Sequence, residues 1–391
     1  MHDLLLTDAH VLDPGTGLDL KGGIAFANGR VAAIGPDLDP AGARETRSVG
    51  GAFVVPGLID LHAHVYRDAT PLSVDADLLL RRSGTTTSVD PGSAGAGNIR
   101  GLFTLVAPAT TARILAFVNI GHAGIMAAGR ACEMPEAEDL RLLNVDACAR
   151  AVQRHAPATV GVKVRVGRSS TGILGAAPLH MAIRAAEQAG GRDRFVPVMV
   201  HIGAEMPPTI EEILAPLRPG DILTHCCTPK GNAVITPDGR VRDAAREAKA
   251  RGVVFDIAHG QGSFGFDTAR RMLDLGLVPD VISSDVHSGC VDGPAYDVLV
   301  TMSKMLALGL SVPEVVRRAT ATPAAAIGRP DLGTLVHGGV GDATILALRD
   351  GPVTFVDSIG HQLRADRQLR LLGAVVGGCW IDGDRSPLSA D

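Results

Sequence analysis

Two histidines one residue apart, His62 and His64, follow the apolar run Leu58-Ile59-Asp60-Leu61. On a strand, an i, i+2 spacing points both imidazoles to one face. Later runs end in polar groups of the same kind: Val196 to His201, Asp221 to His225 and Val281 to Asp285. Lys163 stands inside Val160-Gly161-Val162-Lys163-Val164-Arg165-Val166, which reads as an internal strand. A lysine buried there is expensive unless it has a task. Imidazole and carboxylate together suit Zn2+, Mn2+, Fe2+ or Co2+, with zinc the default for hydrolysis. Any one of these residues alone reads as a satisfied polar group at a strand end. Six of them on the strand ends of one pattern point to a metal site.

Elements that could position them follow from the hydrophobic pattern. Eight strand-like runs start at Leu58, Thr85, Ile114, Val160, Val196, Asp221, Val253 and Val281, with helix-like stretches between several of them. That alternation predicts an α/β fold, a (β/α)8 TIM barrel over 56–335. In a barrel the C-terminal strand ends converge on one site, so the six groups would meet in one cup. A doubly wound parallel sheet is the rival reading. Residues 1–55 and 336–391 read as short strands and turns, including Asp13-Pro14-Gly15 and Asn28-Gly29. They predict a small β-sandwich domain built from both chain termini.

The chain has 391 residues, 46% hydrophobic and 20% charged, with net charge −5. No basic stripe marks a nucleic-acid surface, and no apolar stretch is long enough to span a membrane. The start carries acids instead of a basic n-region, so it does not read as a signal peptide. None of the six cysteines has C-x-x-C spacing. They read as reduced thiols of a cytoplasmic protein. Of the 37 basic residues only Lys21, Lys163, Lys230, Lys249 and Lys304 are lysines. All but Lys163 stand in polar or helical surroundings.

The segment Val55-Pro56-Gly57-Leu58-Ile59-Asp60-Leu61-His62-Ala63-His64 resembles the opening strand of the amidohydrolase superfamily. Gly333-Thr334-Leu335 and Gly341-Asp342-Ala343 resemble its re-entry into the small sheet domain. Ala258-His259-Gly260-Gln261-Gly262-Ser263-Phe264 and Ser283-Ser284-Asp285-Val286-His287 are most similar to a deacetylase-like branch often labelled dihydroorotase. The resemblance implies two divalent metal ions, zinc by default. His62, His64 and Asp285 would hold one, and His201 and His225 the other. Lys163 would bridge them as a carbamate formed with CO2. Burial lowers a lysine pKa and so supplies the neutral amine that CO2 capture needs. A metal-bridging hydroxide would attack the substrate carbonyl, with Asp285 as general base and then acid.

Four further residues are expected to contact substrate. Arg165 shares a face with Lys163 and could grip a carboxylate, or form an internal salt bridge. Tyr66, Asn119 and His259 are the others, each with a packing or turn-capping alternative. His122 and His287 also follow strand ends. The remaining histidines read as surface or packing residues. Cys226 and Cys227 read as packing, and Gly92, Gly95 and Gly97 as a flexible loop without the phosphate-loop pattern. The reading is a hydrolase that removes an acyl group, such as acetyl, from an ester or amide of a small carboxylic acid. The runner-up is a cyclic amide hydrolase of the dihydroorotase or hydantoinase type. Dihydroorotases resemble His-x-His-x-Arg; here that position is Tyr66, with arginine one later at Arg67. A non-catalytic metal-binding subunit is the remote alternative. Expected partners are a carboxylate-bearing small molecule and further copies of the chain, not nucleic acid or membrane.

Overall fold

The computed structural model describes residues 1–126, 134–384 and Leu388. Cys132 lies outside them. The chain opens with a long strand, His2–Asp13, which pairs antiparallel with Leu18–Ala27, and that strand pairs with Arg30–Gly35. Asn28 and Gly29 connect these two with φ of 51° and 73°. Two positive φ values are what the Asn-Gly dipeptide predicts for a tight hairpin turn. Along its length His2–Asp13 also pairs parallel with Ala43–Ser48, then with Phe53–Pro56. Phe53–Pro56 pairs antiparallel with Ala343–Val356, which forms a hairpin with Gln362–Val376. Strands from both ends of the chain therefore share one eight-stranded hydrogen-bonded order. Leu4, Leu6, Ile24, Phe26, Val54 and Ile345 pack together in its core.

The middle of the chain forms a curled parallel sheet. We number its strands β1 (Leu58–Asp60), β2 (Thr85–Gly95), β3 (Arg113–Asn119), β4 (Thr159–Val166), β5 (Val198–Ile202), β6 (Ile222–Thr224) and β7 (Val254–Asp256). Neighbours in this order are hydrogen-bonded. Helices lie between consecutive strands, for example Val145–Arg154 and Ala177–Gly190. Val145–Arg154 shows why they form. Asn144 accepts from the Ala147 N–H at 2.8 Å, capping the first turn. Cys148, Ala149, Ala151 and Val152 make one buried stripe. Gly92 and Gly95, expected in a flexible loop, belong to β2 and are buried.

The eighth apolar run forms no regular ladder. Val281 bridges Asp256 at the β7 edge, and Val286 bridges Ala63 just beyond β1. The Ile257 N–H donates to Val281 O (3.1 Å), and the Asp285 N–H donates to His62 O (2.7 Å). The segment 281–286 thus bonds to both edges of the curled sheet. Asp285 has φ +47°, which ends the extended run there. Ile59, Leu61, Val89, Phe117, Val160, Met199, Ile222 and Val281 form one inner apolar cluster. Outward residues such as Val162, Val164, Val200 and Leu223 pack with helix residues such as Leu179 and Ala182 in a larger one. Each such side chain stabilises by roughly 1.5–3 kcal/mol when fully buried, so the strand frame is stiff between two packed layers. No helix among the described residues is long and apolar enough to cross a membrane.

Candidate metal centre and active-site cavity

Strand β4 shows how period 2 delivers the site. A register irregularity falls between Ala116 and Phe117 of β3 where they face β4. Beyond it Gly161, Lys163 and Arg165 share the inner face, and Val162, Val164 and Val166 pack outside. A Cβ on Gly161 would come within 2.4 Å of the Phe117 ring, so the glycine leaves room for the inner cluster. Lys163 follows one step along, 2% exposed. Arg165 comes next and lines a cavity of about 420 Å³.

Breaks in the strands aim the other groups. Ile59 and Leu61 pack in the inner cluster, whereas Ala63 and Val65 pack outside. The facing switches after Leu61, and that brings His62 and His64 inward. On β6, Ile222 is inward and Leu223 outward. A continuing strand would send His225 outward. It has φ +70° instead, and its ring lies 5.3 Å from His62 and 4.4 Å from His201. Left-handed backbone is uncommon for such residues and concentrates at functional sites. Asp285 shares it.

The Nε2 atoms of His62 and His64 lie 3.3 and 3.4 Å from Asp285 Oδ1. Ligand atoms of these three residues fall within 4.8 Å of one another, the one such His, Cys, Asp or Glu group among the described residues. Three of the site's imidazoles are oriented from behind. Ser93 Oγ lies 2.7 Å from His64 Nδ1, Thr224 Oγ1 lies 3.0 Å from His62 Nδ1, and Ala258 O accepts from His225 Nδ1 at 2.8 Å. The Thr224 hydroxyl donates to Asp256 at 2.9 Å, so it accepts from the His62 N–H. Partners of this kind fix tautomer and ring orientation. Ser93, Thr224 and Asp256 escaped the sequence reading because they carry no motif; only their inward register could have marked them.

A second donor set lies beside the first. His201 and His225 meet edge to face at 81°. Lys163 Nζ and His225 Nε2 are buried with no hydrogen-bond partner among the described residues. Buried polar atoms are nearly always paired. These two orphans fit a cation held by His201, His225 and Lys163, provided the lysine is not an ammonium.

The electrostatics favour that donor state. Burial pulls Lys163 down to about 7, against the attraction of Asp285. Burial pushes His225 down to about 3, and burial with His225 alongside holds His201 well below the usual imidazole range. Burial would also lower His62, but Asp285 and Asp256 outweigh it and raise this imidazole. Burial alone would raise Asp285, yet His62, His64 and His225 hold its carboxylate well below the usual range. Two glycines admit these side chains. A Cβ on Gly92 would come within 2.6 Å of Lys163 Cβ, and one on Gly260 within 2.3 Å of Asp285 Oδ2.

The substrate candidates divide. Arg165 lines the cavity, with its Nε 3.5 Å from buried Glu136. His287 lines it as well. Tyr66, Asn119 and His259 are not among its lining residues. Tyr66 packs in the outer cluster and donates to Asn98 O at 2.9 Å. Asn119 donates to Gly92 O and accepts from the Gly121 N–H, so its amide holds backbone. His259 stacks on Phe264 and bonds Lys304 Nζ at 2.7 Å. Arg67 pairs with Asp75 at 2.8 Å, away from the cavity lining. Cys226 and Cys227 are buried, with sulfurs 3.9 Å apart.

Two further lysines take places that the pattern of the chain did not mark. Lys304 is fully buried and donates to Pro294 O and Val356 O as well as bonding His259. Its helical pattern concealed the packing of the C-terminal hairpin over that helix. Lys230, with Gln261 and Ser263, lines the cavity. Its place in the loop right after a ligand-bearing run was the available signal.

The amidohydrolase family profile matches residues 53–366. A deacetylase from Brucella anthropi is 33% identical over 358 residues, 92% of this chain and 87% of that protein. An adenine deaminase crystal structure is similar with a TM-score of 0.90 and 31% identity, covering 98% of this chain and 100% of that one. A dihydroorotase crystal structure has a TM-score of 0.87 and 30% identity, covering 100% of both.

Proposed function

This chain belongs to the amidohydrolase family, and from that premise we propose that it is a metal-dependent hydrolase removing an acyl group, acetyl first, from an ester or amide of a small carboxylic acid. The observation that carries the reading is the buried amine of Lys163, without a partner among the described residues, beside two histidine pairs and Asp285. The similarity to a protein named deacetylase supports the acyl-removing choice. Curled sheet and segment 281–286 read as a (β/α)8 barrel over 56–335. Residues 1–55 and 336–391 read as a β-sandwich.

His62, His64 and Asp285 would hold one divalent cation, and His201 and His225 a second, zinc in both places. The neutral Lys163 amine would add to CO2 and release a proton to solvent, and the resulting carbamate would offer anionic oxygen donors beside the histidines. When bound, the cations lower the pKa of water and polarise the substrate carbonyl. Asp285 takes the proton of the attacking water and returns it to the leaving oxygen or nitrogen. Arg165 offers a planar donor pair to the substrate carboxylate. Glu136, 3.5 Å from that guanidinium, balances its charge.

Opening of a cyclic amide is the second reading, favoured by the similarity to a dihydroorotase structure. Against it stands Arg67, which is committed to Asp75. Metal analysis with a turnover screen across acetylated hydroxy acids, acetylated amino acids and cyclic amides tests the choice. About two cations per chain and turnover of acylated acids support it. Turnover of dihydroorotate or hydantoins alone overturns it.

A further inference from the structure

The cavity has two cationic side chains on its wall besides Lys163, Arg165 and Lys230. They are not equivalent. Arg165 has the buried carboxylate of Glu136 3.5 Å from its Nε. Lys230 is exposed to the cavity, and among the described residues its Nζ has no ion pair and no hydrogen bond. Among the described residues the one carboxylate in the lining, Asp285, already faces His62 and His64. Among the described residues, the positive charge left uncompensated at this wall is therefore that of Lys230.

Its position is built into the loops. Asn232 donates to Pro208 O at 3.0 Å and ties the Lys230 loop to the segment after β5. The Thr228 N–H donates to His225 O (3.0 Å), and the Gly265 N–H donates to Cys227 O (3.1 Å). The backbone is thus held on both sides of Lys230. The ammonium lies over Gly262: a Cβ there would come within 2.7 Å of Nζ. A larger residue would push the charge off the wall.

We infer that Lys230 is a specificity-determining residue that selects substrates with a free carboxylate over their neutral counterparts. The inference rests on the acyl-removing reading above. Among the described residues Lys230 supplies the uncompensated charge, and Arg165 supplies a planar donor pair.

The test compares the wild type, Lys230→Met and Lys230→Arg. Each is assayed on the acylated acid turned over fastest in the screen and on its neutral carboxamide. Lys230→Met is expected to raise KM for the acid roughly tenfold, the size of one charge-assisted hydrogen bond, with kcat within about twofold. KM for the carboxamide stays unchanged, and Lys230→Arg restores most of the loss. An unchanged KM for the acid, or an equal rise for acid and carboxamide, overturns the inference. If the wild type turns over no acylated acid, the acyl-removing reading fails. Calorimetric binding of the free acids of that panel then judges Lys230 separately. Weaker binding by Lys230→Met supports its role; equal binding, or none by the wild type, overturns it.

Discussion

Asp60 accepts hydrogen bonds from both the N–H (2.9 Å) and the hydroxyl of Ser284. This clamp joins β1, which leads into His62 and His64, to the segment that carries Asp285. Burial pushes Asp60 up to about 7, so its donors matter. Ser284→Ala should cost about 1–3 kcal/mol for the unpaired buried acceptor. It should also lower activity, because Asp285 is the next residue. Urea unfolding and kcat measured on one preparation check both; a loss of stability alone would separate the clamp from the site.

Gly260 has φ +56°, and a Cβ there would meet Asp285 Oδ2 at 2.3 Å. Gly260→Ala therefore displaces the proposed proton carrier. Activity should fall by two orders of magnitude or more, roughly the contribution of general acid–base catalysis, while circular dichroism stays native. A variant within about threefold of wild type in kcat would contradict the placement of Asp285.

Lys163→Ala removes the one residue offered as a bridge. Cation content should fall from about two to about one or less per chain. Wild type stripped of cations in CO2-free buffer should regain activity slowly with zinc alone and faster with zinc plus bicarbonate. Equal rates of recovery would argue against a carbamate.

Ser93 and Thr224 hold His64 and His62 at 2.7 and 3.0 Å. Ser93→Ala and Thr224→Val should each weaken cation affinity by about 10- to 100-fold, as losses behind a ligand do. Competition with a chromogenic chelator measures it.

Asp297 caps helix Val298–Ala307, accepting from the Val300 N–H at 2.9 Å, and its other carboxylate oxygen is buried without a partner among the described residues. Burial pushes its pKa up to about 6. A raised carboxylate keeps its full stability contribution below the unfolded value near 4 and loses it as pH rises through 6. Asp297→Asn keeps the cap acceptor without the charge. Its stability relative to wild type should therefore improve between about pH 4 and about pH 7, by up to roughly 3 kcal/mol. Chemical denaturation across that range reads the difference, and a difference independent of pH would refute the titration.

Much of this was legible in the residues. Apolar runs with period 2 and helical stretches between them marked seven strands of the curled sheet. The Asn28-Gly29 turn and the strand-like ends marked the terminal sheet. Lys163 stood out because an apolar strand cannot hold an ammonium cheaply. The structure brings the His-x-His pair, Lys163, His201, His225 and Asp285 to one end of the sheet, where the six candidates had been expected to meet.

Direction and partnership were not legible. His225 follows an inward residue and should face outward; a φ of +70° turns it in. Tyr66, Asn119 and His259 looked available, but packing and backbone bonds occupy them. Lys304 read as helical, and it is, but the C-terminal hairpin laid over that helix buries it. Spacing along a chain is a local property, so residue types and strand period determine which groups can share a face. Which face is inward, and which charge is already balanced by a neighbour distant in sequence, depends on strand breaks and long-range contacts. Only the tertiary structure decides that.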